Sequence, residues 1–281
     1  MSQNKTLPLT AKREDIHTRT QLHYAASSGQ LLVLHGLIKG GVNVNVRTCD
    51  GYTPLHEACS SGHVYCARNL IKAGADVDAF NCYWKTSLHM AAEAGSVECI
   101  KLLLESGAKV SVDDSTVTPL HSAVLNGNLE CCKLLTDANC SLTQMDTYYG
   151  TCLHAAAMAN QTDCTQHLLE RGANPNTPRP RDLQTPLHSA ASGDFKEVVE
   201  LLLAYGANPH LRDKAGKKAV DLATPNQPTA QILQDYMNNT EKLVSLCRHS
   251  IRSSLGKDAS KSICSLPLPD FLKDYLHYKS P

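Results

Sequence analysis

Aromatic residues make up only 5% of this 281-residue chain, with three Phe and a single Trp, so no large-ring core holds it together. Its apolar content, 42%, is mostly Leu, Ala, Val and Cys, small side chains that allow elements to stack closely. Net charge is also missing. Lys+Arg and Asp+Glu each number 27, which leaves no global bias towards nucleic acid or an anionic membrane. No stretch approaches membrane-spanning length, and the polar segment 1–17 has no apolar core of signal-peptide size. A cytosolic or nuclear location is therefore expected. Neither a Gly-x-Ser-x-Gly elbow nor a Gly-rich phosphate loop occurs, so no enzyme class and no cofactor is indicated.

What the chain has is repetition. Leu22-His23, Leu55-His56, Leu88-His89, Leu120-His121, Leu153-His154 and Leu187-His188 follow one another at intervals of 32 to 34 residues, as counted along the sequence. A degraded seventh copy covers Lys217 to Ala223. The fullest copy, Thr53-Pro54-Leu55-His56-Glu57-Ala58, starts like a helix, with Thr as N-cap and Pro at the first helical position, where no N–H is needed. Gly62 then supplies a left-handed turn into a second helix carrying Val64, Ala67, Leu70 and Ile71 on its apolar side. This pattern resembles the ankyrin repeat. It predicts an all-α solenoid of six repeats with a degenerate C-terminal cap over 18–237, because a single unit cannot bury its own apolar face. A final helix of the cap is expected from Ala230 to Met237, with Asn238 capping a new one.

Four of the twelve cysteines, Cys66, Cys99, Cys131 and Cys164, recur with the repeat and read as small buried hydrophobes in a reducing compartment. A His in every copy reads as architecture joining neighbouring loops. Catalysis would require one tuned environment, whereas these are six equivalent ones.

The remainder, 238–281, is too small for a core of its own. Leu243, Cys247, Ile251 and Leu255 fall at i, i+4, i+8 and i+12 and form one apolar stripe, joined by Leu246. Leu266-Pro267-Leu268-Pro269 then precedes a short helix containing Tyr275. The ligand types Cys247, His249, Cys264 and His277 do not make a zinc site, since Cys247 belongs to the stripe and the spacing is irregular. These two halves, in order and behind ankyrin repeats, resemble the SOCS box, and the chain is similar to the ankyrin repeat and SOCS box family.

The resemblance implies a substrate-recognition subunit of a ubiquitin ligase that performs no chemistry itself. The segment about 241–256 would bind elongin B and elongin C through Leu243, Leu246, Cys247, Ile251 and Leu255. The segment about 263–276 would meet cullin-5 and its RING protein through Leu266, Pro267, Leu268, Pro269 and Tyr275. Lys242 stands where the family usually has Ser, Thr or Pro. The alternative is a stand-alone ankyrin inhibitor whose tail only caps the stack; Leu266 to Pro269 argues against it, because capping does not require that stretch.

The inter-repeat fingers are less uniform than the helices. Repeat three carries Tyr83-Trp84-Lys85 where a solvent-facing Gly is usual, repeat five carries Tyr148-Tyr149, and repeat six enters one residue long through Arg179-Pro180-Arg181. Trp, Tyr and Arg dominate interface energies, so these residues and Glu93 are the candidate target-binding set; the alternative is that Trp84 and Tyr149 pack sideways on adjacent fingers. Met158 is expected to share their face, with Asp113 and Asp114 between them.

Overall fold

The structure, a computed structural model, describes residues 19–110 and 117–238. Six helix pairs follow one another in register. They are α1 (Gln21–Ser27) with α2 (Leu31–Lys39), α3 (Pro54–Ser60) with α4 (Val64–Lys72), and α5 (Ser87–Ala94) with α6 (Val97–Glu105). After these come α7 (Pro119–Leu125) with α8 (Leu129–Asp137), α9 (Cys152–Met158) with α10 (Thr162–Glu170), and α11 (Pro186–Ser192) with α12 (Lys196–Ala204). The capping remnant contributes α13 (Ala219–Leu222) and a last helix, α14, over 228–238. That last helix begins two residues before the expected Ala230, and Asn238, read as the cap of a new helix, is its final described residue. Pro at a first helical turn costs no hydrogen bond, which explains the earlier start at Pro228.

Each first helix stacks on the first helix of the next repeat and on its own second helix, so the apolar faces between repeats are covered by neighbours. The repeated Leu of the Leu-His step is buried in all six copies, and a small residue three positions on (Ala25, Ala58, Ala91, Ala123, Ala156, Ala190) lets the helices approach. Cys66, Cys99, Cys131 and Cys164 are buried as expected, and all ten described cysteines are free thiols. The turn between paired helices needs a left-handed residue seven positions after the Leu. Gly fills it four times, Asn160 once and Asp194 once, the residue types that tolerate this region best.

Candidate binding surface

The fingers between repeats are fastened by the repeat histidines. In each copy Nδ1 accepts the backbone N–H of the preceding Thr, at 3.0 to 3.4 Å, so the ring proton lies on Nε2. That Nε2–H donates to a carbonyl of the next finger: Tyr52, Lys85, Val117, Gly150, Gln184 or Lys217, at 2.9 to 3.2 Å. All six rings are buried. Burial disfavours the imidazolium and pushes His56, His89 and His154 down to about 4, with His23, His121 and His188 lowered in the same direction. The histidines are thus neutral ties between repeats, the architectural role their recurrence implies.

Each finger is also folded on itself. Asn81 Oδ1 accepts the N–H groups of Tyr83 and Lys85 at 2.9 and 3.0 Å, Asp146 does the same for Tyr148 and Tyr149, and Asp213 for Ala215 and Lys217. Neighbouring fingers touch along the backbone, as Cys82 N–H donates to Asp50 O at 2.9 Å and Lys214 N–H to Asp182 O at 2.8 Å. These described tips are therefore joined to their neighbours rather than being independent loops.

On this row the structure brings most of the candidate residues to the surface. Tyr83 is 62% exposed, Trp84 65% and Tyr148 57%. Trp84 leans on Phe80 with ring centroids 5.9 Å apart, so part of one ring face is used within the finger. Lys85 and Glu93 form an ion pair beside it, each about one-third exposed or less. Two fingers further along, the Arg181 guanidinium lies over the Tyr148 ring, 5.0 Å from its centroid. Tyr149 meets Tyr148 edge-on at 4.9 Å but is half-buried against the core, and Met158 is half-buried.

Arg179 is the correction. Expected on the surface, it is 4% exposed, with Nε and Nη2 on the two oxygens of Asp182 at 3.0 and 2.7 Å. It also donates to Tyr148 O at 3.2 Å and to Gln184 Oε1 at 2.9 Å. The extra residue of this finger widens its turn, so that Leu183 N–H reaches back four residues to Arg179 O. In the ordinary fingers the turn amide reaches back three, Gly51 to Thr48, Trp84 to Asn81 and Gly216 to Asp213. The longer loop encloses its own arginine.

One exposed side chain escaped the sequence reading. Leu183 is 45% exposed at the tip of that finger. It lies two residues before its Thr, as Gly51 and Trp84 do before theirs, so aligning the copies on that Thr would have found it. Asp113 and Asp114, and the tail residues from Leu243 to Tyr275 assigned to elongin and cullin, lie outside the described residues.

Stacked helix pairs joined by hydrogen-bonded fingers define an ankyrin-repeat protein, and a family model for ankyrin repeats matches successive windows from residue 4 to residue 242. A second model, the SOCS box, matches 241–277. The chain is 46% identical over 261 residues to ankyrin repeat and SOCS box protein 5 of Homo sapiens, covering 93% of this chain and 79% of that protein. It is 43% identical over the same length to ankyrin repeat and SOCS box protein 11 of Mus musculus, covering 93% and 80%. Among solved structures, the crystal structure of the human ASB11 ankyrin repeat domain superposes with a TM-score of 0.73 at 40% identity, covering 78% of this chain and 98% of that one. The chain belongs to the ankyrin repeat and SOCS box family. Its domain organisation is that of a SOCS-box ligase substrate adaptor, a class that acts by binding rather than by catalysis.

Proposed function

We propose that this protein is the substrate-recognition subunit of an elongin B/C–cullin-5 RING ubiquitin ligase. The observation that carries the reading is a SOCS box at 241–277 directly behind an ankyrin stack whose tips expose aromatic side chains. The stripe Leu243, Leu246, Cys247, Ile251 and Leu255 would enter an apolar groove of elongin C, and Leu266 to Pro269 with Tyr275 would face the cullin. The finger row would hold a protein target. The receptor then raises the effective concentration of the target's lysines near a ubiquitin-charged enzyme on the cullin arm, which needs no catalytic group of its own.

The test is co-purification. Leu243→Ala combined with Cys247→Ala removes two anchors of the stripe, at a cost of roughly 2–5 kcal/mol for the Leu alone. Elongins B and C should no longer accompany the double variant, while its far-ultraviolet circular dichroism stays unchanged. Undiminished elongin recovery would sink the ligase reading in favour of a stand-alone ankyrin inhibitor.

A further inference from the structure

Six described non-glycine residues have positive φ: Trp84, Asn139, Asn160, Leu183, Asp194 and Asn226. Four are Asn or Asp, whose short polar side chains tolerate that region. The other two are large hydrophobes, Trp84 at φ 58° and Leu183 at φ 59°. Both occupy the finger position where Gly51 and Gly216 stand at φ 77° and 79°. Glycine serves the same turn elsewhere without steric cost, so the turn itself explains neither side chain. Nor does the core, since neither belongs to the buried cluster or to the residues packed against it. Both leave a large share of their apolar surface in water, which is the costly direction for a hydrophobe.

Strained backbone carrying an exposed apolar group is a mark of a functional position. Two further facts set the chemistry of what would bind there. Trp84 and Leu183 are three repeats apart, which at about 8–10 Å per stacked helix is roughly 24–30 Å. Tyr148 with Arg181 lies between them in the row. Beyond Leu183, the next finger exposes Lys214 and Lys217, and among the described residues neither forms an ion pair. The nearest finger acids are engaged: Asp182 by Arg179 and Arg181, Asp213 by backbone N–H groups. Among the described residues the row thus offers an apolar prong at Trp84 and at Leu183, with Tyr148 under Arg181 between them, and it is basic beyond Leu183.

We propose that Trp84 and Leu183 are paired hydrophobic prongs for an extended target segment with two large apolar side chains about eight residues apart and acidic residues about three further on. The spacing follows from about 3.3 Å per residue of extended chain over the distance between the prongs and the one further finger. The inference rests on the target-binding role of the finger row and specifies what that row takes.

The experiment uses the full chain bound to elongins B and C and a phage-displayed library of random 16-residue peptides. Selected peptides should show two apolar positions followed by Asp or Glu. A synthetic peptide of the selected sequence should bind Leu183→Gly and Trp84→Gly at least ten-fold more weakly, and Lys214→Glu combined with Lys217→Glu more weakly still at low salt. Leu183→Gly should leave the melting temperature unchanged or raised, because glycine relieves the turn. Selection of peptides without the apolar pair and acidic end would overturn the proposal. So would a Leu183→Gly variant that binds normally and melts several degrees lower, which makes Leu183 a packing residue. Either result with elongins still bound would leave the ligase reading standing, whereas loss of elongin capture by the unaltered chain would fail that reading and leave the prongs untouched.

Discussion

Mild acid should uncouple the repeats before it unfolds their helices. In the folded chain burial holds His56, His89 and His154 near 4, against 6.5 in an unfolded chain. A group depressed in this way stabilises the fold above its unfolded value and loses that contribution as pH falls towards its folded one, because the unfolded state binds the proton first. Between pH 7 and pH 5.5 each of the three costs on the order of 1 kcal/mol, a few kcal/mol together. The total stability of a domain is about 5–15 kcal/mol. His23, His121 and His188 move in the same direction and add to the loss. The cause is specific, since a proton on Nδ1 would face the Thr N–H that now donates to it. Urea unfolding at pH 7.0, 6.5, 6.0 and 5.5, followed by the fluorescence of Trp84, the single Trp, measures the effect. The His89→Ala variant should be weaker at pH 7 but should lose about 1 kcal/mol less over the same range. Stability that is flat or rising from pH 7 to 5.5, or an unchanged pH slope in His89→Ala, would refute the neutral-tie reasoning.

Arg179→Ala should destabilise by about 1–3 kcal/mol, seen as a lowered urea midpoint, because it removes a buried guanidinium that ties Asp182, Tyr148 O and Gln184 Oε1 together. Arg181→Ala, half-exposed over Tyr148, should leave the fold intact and chiefly flatten the salt dependence of target association, read from association rates at two ionic strengths. Replacing Leu266 to Pro269 by alanines should weaken cullin recruitment and spare elongin in the same co-purification, since Pro-x-Pro fixes an extended presentation; joint loss of both partners would mean the stretch is needed to fold the tail.

The solenoid was legible because its signals are local and repeated. Thr as N-cap, Pro at the first turn, His three residues after the Thr and Gly seven after the Leu each answer a backbone requirement, and six copies make the pattern plain. The fate of individual finger residues was not legible. Arg179 and Arg181 are two positions apart in one loop, yet one is enclosed and the other exposed, and only the widened turn, with Asp182 and Gln184 folded back, separates them. Leu183 was missed for a related reason. Its exposure follows from a left-handed backbone shared with Trp84, which a Leu, unlike a Gly or a Trp at a finger tip, does not advertise in a sequence. The helix boundary at 228 shifted because Pro reads as a stop in a sequence, whereas at a first turn it is a start.

The widened finger of repeat six shows where this architecture can accept added length. Its extra residue is taken up between Arg179 and Leu183, and the tie from His154 to Gln184 O still closes at 3.1 Å, close to its value in the other repeats. Lengthening a loop adds only about 0.6 kcal/mol per doubling. Insertions and deletions at the tips therefore leave the helical stack nearly unaffected, while they change shape and chemistry where a partner meets the row. Selection can rewrite what such a receptor holds, one finger at a time, without renegotiating how it folds.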